Sequence, residues 1–217
     1  MASRVEQKES EIWGIERVRE YASEHKKYAW LMYRGIIKEV RNLKLGGRFL
    51  EVGAGPGFLA VILAQDNPQA NITAVDLSPD MAEVAQEYIL EKNLDDRIRY
   101  VVGDVGDKEL MGELGKFALV YSTFSLHHWE KPEESIQILW NAVADGGLLY
   151  IYDFTRIDWL CKLPIKDGVI DSMRAALKAG EIKEILQRVG ITSYKINNNF
   201  PMFQSIIARK YRSGHST

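Results

Sequence analysis

The sequence predicts an α/β fold, doubly wound around a mostly parallel seven-stranded sheet. Three observations predict it. From Arg48 onward, short apolar or β-branched runs alternate with longer segments of helical period; a glycine-rich turn joins the first run to the helix after it; and two strand-like runs close the chain with too few residues between them for a helical crossover. With 217 residues, 46% hydrophobic content and no break in composition, the chain can bury a full core in one domain.

Residues 1–45 read as helical, with Trp13, Ile15, Val18, Tyr21 and Ala22 on one face and Tyr33, Ile36, Ile37 and Val40 on a second. They are expected to pack over the carboxyl edge of the sheet as a lid of the main domain, which spans 46–211. Strands are expected at Arg48–Val52, Asn71–Asp76, Ile98–Val102, Phe117–Ser122 and Gly147–Asp153, and runs such as Leu148–Tyr152, apolar on both faces, belong in the middle of the sheet. Helices are expected at Phe58–Gln65, at Pro79–Lys92 with Ser78 as N-cap, and at Glu133–Val143. A further helix, Ile182–Val189, is stopped by Gly190. The last two strands, Ile191–Ile196 and Phe203–Lys210, then form an antiparallel C-terminal hairpin at one sheet edge. Thr155–Lys178 is longer than a simple connection and reads as a binding loop. The polar tail 212–217 reads as frayed.

Composition narrows the function. The net charge of −2 and the lack of Lys or Arg blocks disfavour a nucleic-acid track, so a small-molecule or protein partner is favoured over DNA or RNA. No apolar stretch approaches the roughly 20 residues of a membrane span, and the N-terminus is too polar for a secretory signal, so a cytoplasmic protein is expected. Cys161, the only cysteine, rules out an intramolecular disulfide and a Cys-based zinc site within one chain, and reads as a packed thiol.

The strongest motif is Glu51-Val-Gly53-Ala-Gly55-Pro-Gly57, between the first strand and its helix. Glycines there allow a tight turn and let backbone N–H groups approach a ligand. Asp76 ends the second strand, where an acid can accept hydrogen bonds from both hydroxyls of a ribose. A dinucleotide fingerprint would place its third glycine where Phe58 stands, and Glu51 would repel a pyrophosphate while suiting a cationic ligand.

These motifs, with Asp104 in Val102-Gly-Asp-Val105 and the segment Ser122–Trp129 after the fourth strand, resemble the class I (Rossmann-like) S-adenosylmethionine (SAM) dependent methyltransferases, within the small-molecule group that includes quinone C-methyltransferases. The resemblance implies SAM as cofactor. It implies that Glu51, Gly53 and Gly55 hold the methionine part, with Gly57 completing the turn, that Asp76 binds the ribose, that Leu77 and Met81 lie against the adenine, that Asp104 and the Val105 N–H read its edge, and that Ser122 closes the site. Met81 also reads as the buried face of its helix. Tyr33 is positioned to reach the methionine carboxylate.

His127 and His128 read either as a base for the acceptor proton or as packed, hydrogen-bonded residues, and no metal site is expected. Other aromatics, among them Tyr21, Tyr28, Trp30, Trp129, Tyr152 and Trp159, read as core or as the wall of an acceptor site. Ser122–Trp129 departs from the Asn-Pro-Pro-Tyr type motif of the amino-methylating members, which counts against nucleic acid. The expected activity is methyl transfer to a small molecule by in-line displacement, the alternatives being a non-catalytic SAM-binding protein or a protein methyltransferase.

Overall fold

Parallel strands joined by helices place their connections on both faces of one sheet, and the computed structural model has this arrangement. It describes residues 14–165, 167–199 and 201–211, so Trp13 and the tail 212–217 lie outside it. In chain order the elements are α1 (Ile15–Lys26), α2 (Ala29–Leu43), β1 (Gly47–Val52), α3 (Phe58–Asp66), β2 (Ala70–Asp76), α4 (Pro79–Glu91), β3 (Ile98–Val102), α5 (Lys108–Leu114) and β4 (Phe117–Thr123). A one-turn helix at Leu126–His128 follows, then α6 (Pro132–Ala142), β5 (Val143–Phe154), α7 (Asp158–Cys161), α8 (Gly168–Ala175), α9 (Ala179–Arg188), β6 (Tyr194–Asn199) and β7 (Phe203–Arg209). The strand order is β3-β2-β1-β4-β5-β7-β6; β7 runs antiparallel to both its neighbours and the other pairs are parallel.

Alternation along the strands sorts the core into two layers. Phe49, Ile72, Leu119, Tyr121 and Tyr150 pack with Ile36, Ile37 and Val40 of α2 and with α3. Leu50, Val52, Val120, Leu149 and Ile151 pack with α5, α6 and α9 on the other face. α3 is apolar nearly all round, with Phe58, Leu59, Ala60, Val61, Leu63 and Ala64 buried, as a helix enclosed between sheet and α2 must be. α1 lies on α4, where Val18 and Ala22 join Phe58, Met81 and Val84. Its ion pairs, Arg19 with Glu83 and Glu87, are exposed and add little beside that apolar contact.

Several sequence expectations shift. The last strands were expected at Ile191–Ile196 and Phe203–Lys210; β6 instead begins three residues later and runs through Asn199. Ile191 is fully buried, its N–H bonded to the Leu186 carbonyl as the chain leaves α9. The asparagines that read as a turn stay in the ladder because Asn197 and Asn199 each donate to Ser205 Oγ at 3.2 Å. β5 begins at Val143, across an irregularity in its pairing with β4, and α6 ends one residue earlier than expected. The segment 155–178 holds two short helices and is pinned at its base. There Arg156 donates to the Ala176 carbonyl at 2.9 Å and pairs with Glu181, and Gln204 donates to the Leu177 carbonyl at 2.6 Å. Cys161 is half-buried rather than packed. No helix among the described residues is long and apolar enough to cross a membrane.

Candidate active site

β1 and β4 are neighbours, yet β1 continues into α3 on one face and β4 into α6 on the other. The chain therefore parts at their carboxyl ends, which is where open α/β sheets bind ligands. Glu51, Asp76 and Ser122 lie at or near these strand ends and the adjacent end of β2.

The glycine turn is tied to β2. Gly53 and Ala54 donate to the Val75 carbonyl at 2.9 and 3.2 Å, and Gly55 donates to Asp76 Oδ2 at 2.7 Å. Asp76 Oδ1 also accepts from the Ser78 N–H at 3.0 Å, so this acid shapes the turn as well as facing it. Burial pushes the Asp76 carboxyl up, and the N–H groups of Ser78, Gly55 and Leu77 oppose the shift. Gly53 and Gly55 have φ of 70° and 52°, a region side chains rarely occupy. At Gly53 there is no room either: a Cβ would stand 2.6 Å from Ser125 Cβ. A Cβ at Gly55 would meet nothing within 4 Å and would project into open space. Gly57, also at positive φ, caps α3.

Glu51 is 2% exposed, and no basic side chain among the described residues is bonded to it. It accepts from the Tyr121 hydroxyl at 3.2 Å and from the backbone of Ala60 in the first turn of α3. Burial outweighs these bonds and, with the nearby Asp76 charge, pushes its carboxyl up to about 8. A buried carboxylate of this kind lacks a cation. Tyr33 is half-buried beside it, hydrogen-bonded to Thr123 and sensing the Glu51 charge, and Tyr21 of α1 senses Asp76.

Toward β3, Leu77 and Val102 are 42% and 50% exposed, an apolar surface on adjacent strand ends. Met81 is buried between α1 and α4. Asp104 is exposed and holds the Gly106 N–H at 2.7 Å, with Val105 half-buried beside it. Ser122 is fully buried, and among the described residues its Oγ has no hydrogen-bond partner.

The two histidines differ. His127 is buried, and Asp153 at the end of β5 bonds both its N–H and its Nδ1, each at 2.7 Å. His128 lies with its ring 4.0 Å from that of His127; burial, reinforced by His127, lowers its pKa to about 4. α8 packs on this turn and helps to bury it. Sequence reasoning missed Tyr121, Asp153, Thr123 and Ser125, whose roles depend on strand register. Among the described residues, no group of three or more His, Cys, Asp or Glu could hold a metal ion.

Residues 49–147 match a family described as a methyltransferase domain. A tRNA1(Val) (adenine(37)-N6)-methyltransferase from a Flavobacteriaceae bacterium is 38% identical over 88 residues, 41% of this chain and 36% of that protein. A ubiquinone biosynthesis O-methyltransferase from Xanthomonas axonopodis pv. citri is 31% identical over 111 residues, 51% of this chain and 44% of that protein. The chain thus spans less than half the length of these curated relatives. A solved SAM-dependent methyltransferase structure from Aquifex aeolicus superposes with a TM-score of 0.68 at 16% identity, covering 91% of this chain and 98% of that one.

Proposed function

We propose that this chain, whose residues 49–147 match a methyltransferase domain family, is a class I SAM-dependent methyltransferase acting on a small-molecule acceptor in the cytoplasm. The observation that carries the reading is Glu51: a buried acid without a cation, beside a glycine turn and a strand-end aspartate at the sheet's switch point. The ammonium of a methionine moiety supplies the missing charge. The turn offers backbone donors, Asp76 keeps carboxylate lone pairs for a ribose, and exposed Leu77 and Val102 suit a flat base. Asp104 and Val105 stand next to that surface at the end of β3. In this reading Tyr33 and Ser122 flank the methionine end, and Met81 lies on the adenine side, packed with α1.

Bound SAM supplies an electrophilic methyl group on a cationic sulfur. The chain's own work is to hold acceptor and methyl in line, exclude water and receive the acceptor proton. His127 is the better-equipped base, since Asp153 fixes its orientation and stabilises an imidazolium. His128 is neutral at pH 7 and serves as its neighbour rather than as a second base.

Transfer of tritium from methyl-labelled SAM to separate pools of phenols, carboxylic acids, peptides and tRNA tests this reading. Label in a small-molecule pool supports it. Label only in peptide or tRNA would move the acceptor to another class, and tight SAM binding with no label anywhere would leave a binding module.

A further inference from the structure

We propose that the acceptor is a planar aromatic molecule, held on an aromatic platform at the carboxyl ends of β4 and β5 and the amino end of β7. This rests on the methyltransferase reading and names its substrate class. Phe124 is the centre of the platform. Its ring lies 5.3 Å from Tyr152, 5.7 Å from Phe154 and 5.7 Å from Phe203, and 6.2 Å from Tyr33. Tyr152 and Phe203 stack at 5.5 Å, and Phe154 and Phe203 lie 5.1 Å apart.

Two features separate this cluster from ordinary core. Core rings such as Phe49 and Phe117 are at most 1% exposed, whereas Phe124, Tyr152, Phe154 and Phe203 are each only half-buried. Phe124 also has φ of 54°, a conformation unfavourable for a residue with a Cβ that tends to persist where function uses it. Its N–H, bonded to the Tyr152 carbonyl at 2.8 Å, holds the backbone in this conformation.

The platform adjoins both halves of the proposed chemistry. Tyr33, which borders it, is one of the tyrosines that sense Glu51, and the His127 ring lies edge-to-face with that of Phe154 at 5.4 Å. A ring lying on this surface is therefore placed between the cofactor side and the imidazole. Aromatic faces prefer ring edges and offset ring faces to saturated groups of equal size, which selects flat acceptors.

The test is a fluorescence titration with 2-naphthol, with and without S-adenosylhomocysteine, against its saturated counterpart 2-decalol. Phe203→Leu and Phe124→Leu, which keep apolar volume but remove a π face, are compared with wild type, and circular dichroism checks folding. The expected result is that 2-naphthol binds about tenfold more tightly than 2-decalol and that each variant loses most of that preference. S-adenosylhomocysteine affinity, measured by calorimetry, should stay within twofold in both variants. Equal affinity for the two probes, or undiminished preference in both folded variants, overturns the proposal. Failure of S-adenosylhomocysteine to bind wild type contradicts the cofactor reading instead, and the naphthol-to-decalol ratio without it still decides the platform.

Discussion

Tyr121 stands directly opposite Glu51 on the adjacent parallel strand, and its hydroxyl donates to Glu51 Oε2 across 3.2 Å. The bond is one of the few interactions favouring the charged form of an acid that burial pushes up to about 8. Removing it in Tyr121→Phe should raise the Glu51 pKa further and weaken SAM binding about fivefold, the worth of a typical hydrogen bond of about 1 kcal/mol. Calorimetric titration checks this.

The same shift makes Glu51 a cost to the unliganded fold. Its folded pKa lies above the unfolded value of about 4.5, so the native state holds a proton that the unfolded chain gives up between those values. The associated stability is fully present below pH 4.5 and is lost as pH rises through 8. Glu51→Gln should therefore melt higher than wild type, with the difference widening from pH 6 to pH 9 in thermal denaturation scans.

Two glycines of one turn should fail differently. Gly53→Ala forces a Cβ against Ser125 in a strained backbone and should cost about 2–4 kcal/mol by chemical denaturation. Gly55→Ala has open space and should cost about 1 kcal/mol, yet its methyl projects where a ligand would lie. It should keep the fold and lose SAM affinity.

His128 should shape the acid limb of stability. Its pKa, lowered to about 4, means that the unfolded chain takes up a proton between about pH 6.5 and 4 that the native state refuses. Stability is lost across that window as pH falls, by about 2–3 kcal/mol from this group. His128→Leu should flatten the loss in urea titrations at pH 4 and 7. Asp153→Asn, by contrast, disturbs a carboxylate bonded to His127 twice and to the Phe154 N–H. It should lower kcat far more than KM in steady-state assays.

The sequence made the central strands legible because burial on both faces writes continuous apolar runs such as Leu148–Tyr152. Glu51, the glycine turn and Asp76 were legible because they are local, fixed by the end of one strand and the start of a helix. β6 was misplaced because Asn197–Asn199 are poor strand formers, held in the ladder only by a partner, Ser205, on another strand. α5 was not delimited because its seven residues, interrupted by Gly112, are too few to show a helical period. Tyr121, Asp153 and the Phe124 platform were hidden for a related reason: each acts through a neighbour brought near by sheet register.

The most direct measurement is calorimetric titration of the protein with SAM in two buffers of different ionisation enthalpy at pH 7, repeated with Glu51→Gln and with NADH in place of SAM. The account predicts micromolar SAM binding accompanied by proton release, because Glu51 must ionise to meet the ammonium, with both lost in the variant and NADH silent. Equal SAM affinity in wild type and Glu51→Gln, or binding of NADH but not SAM, would contradict it.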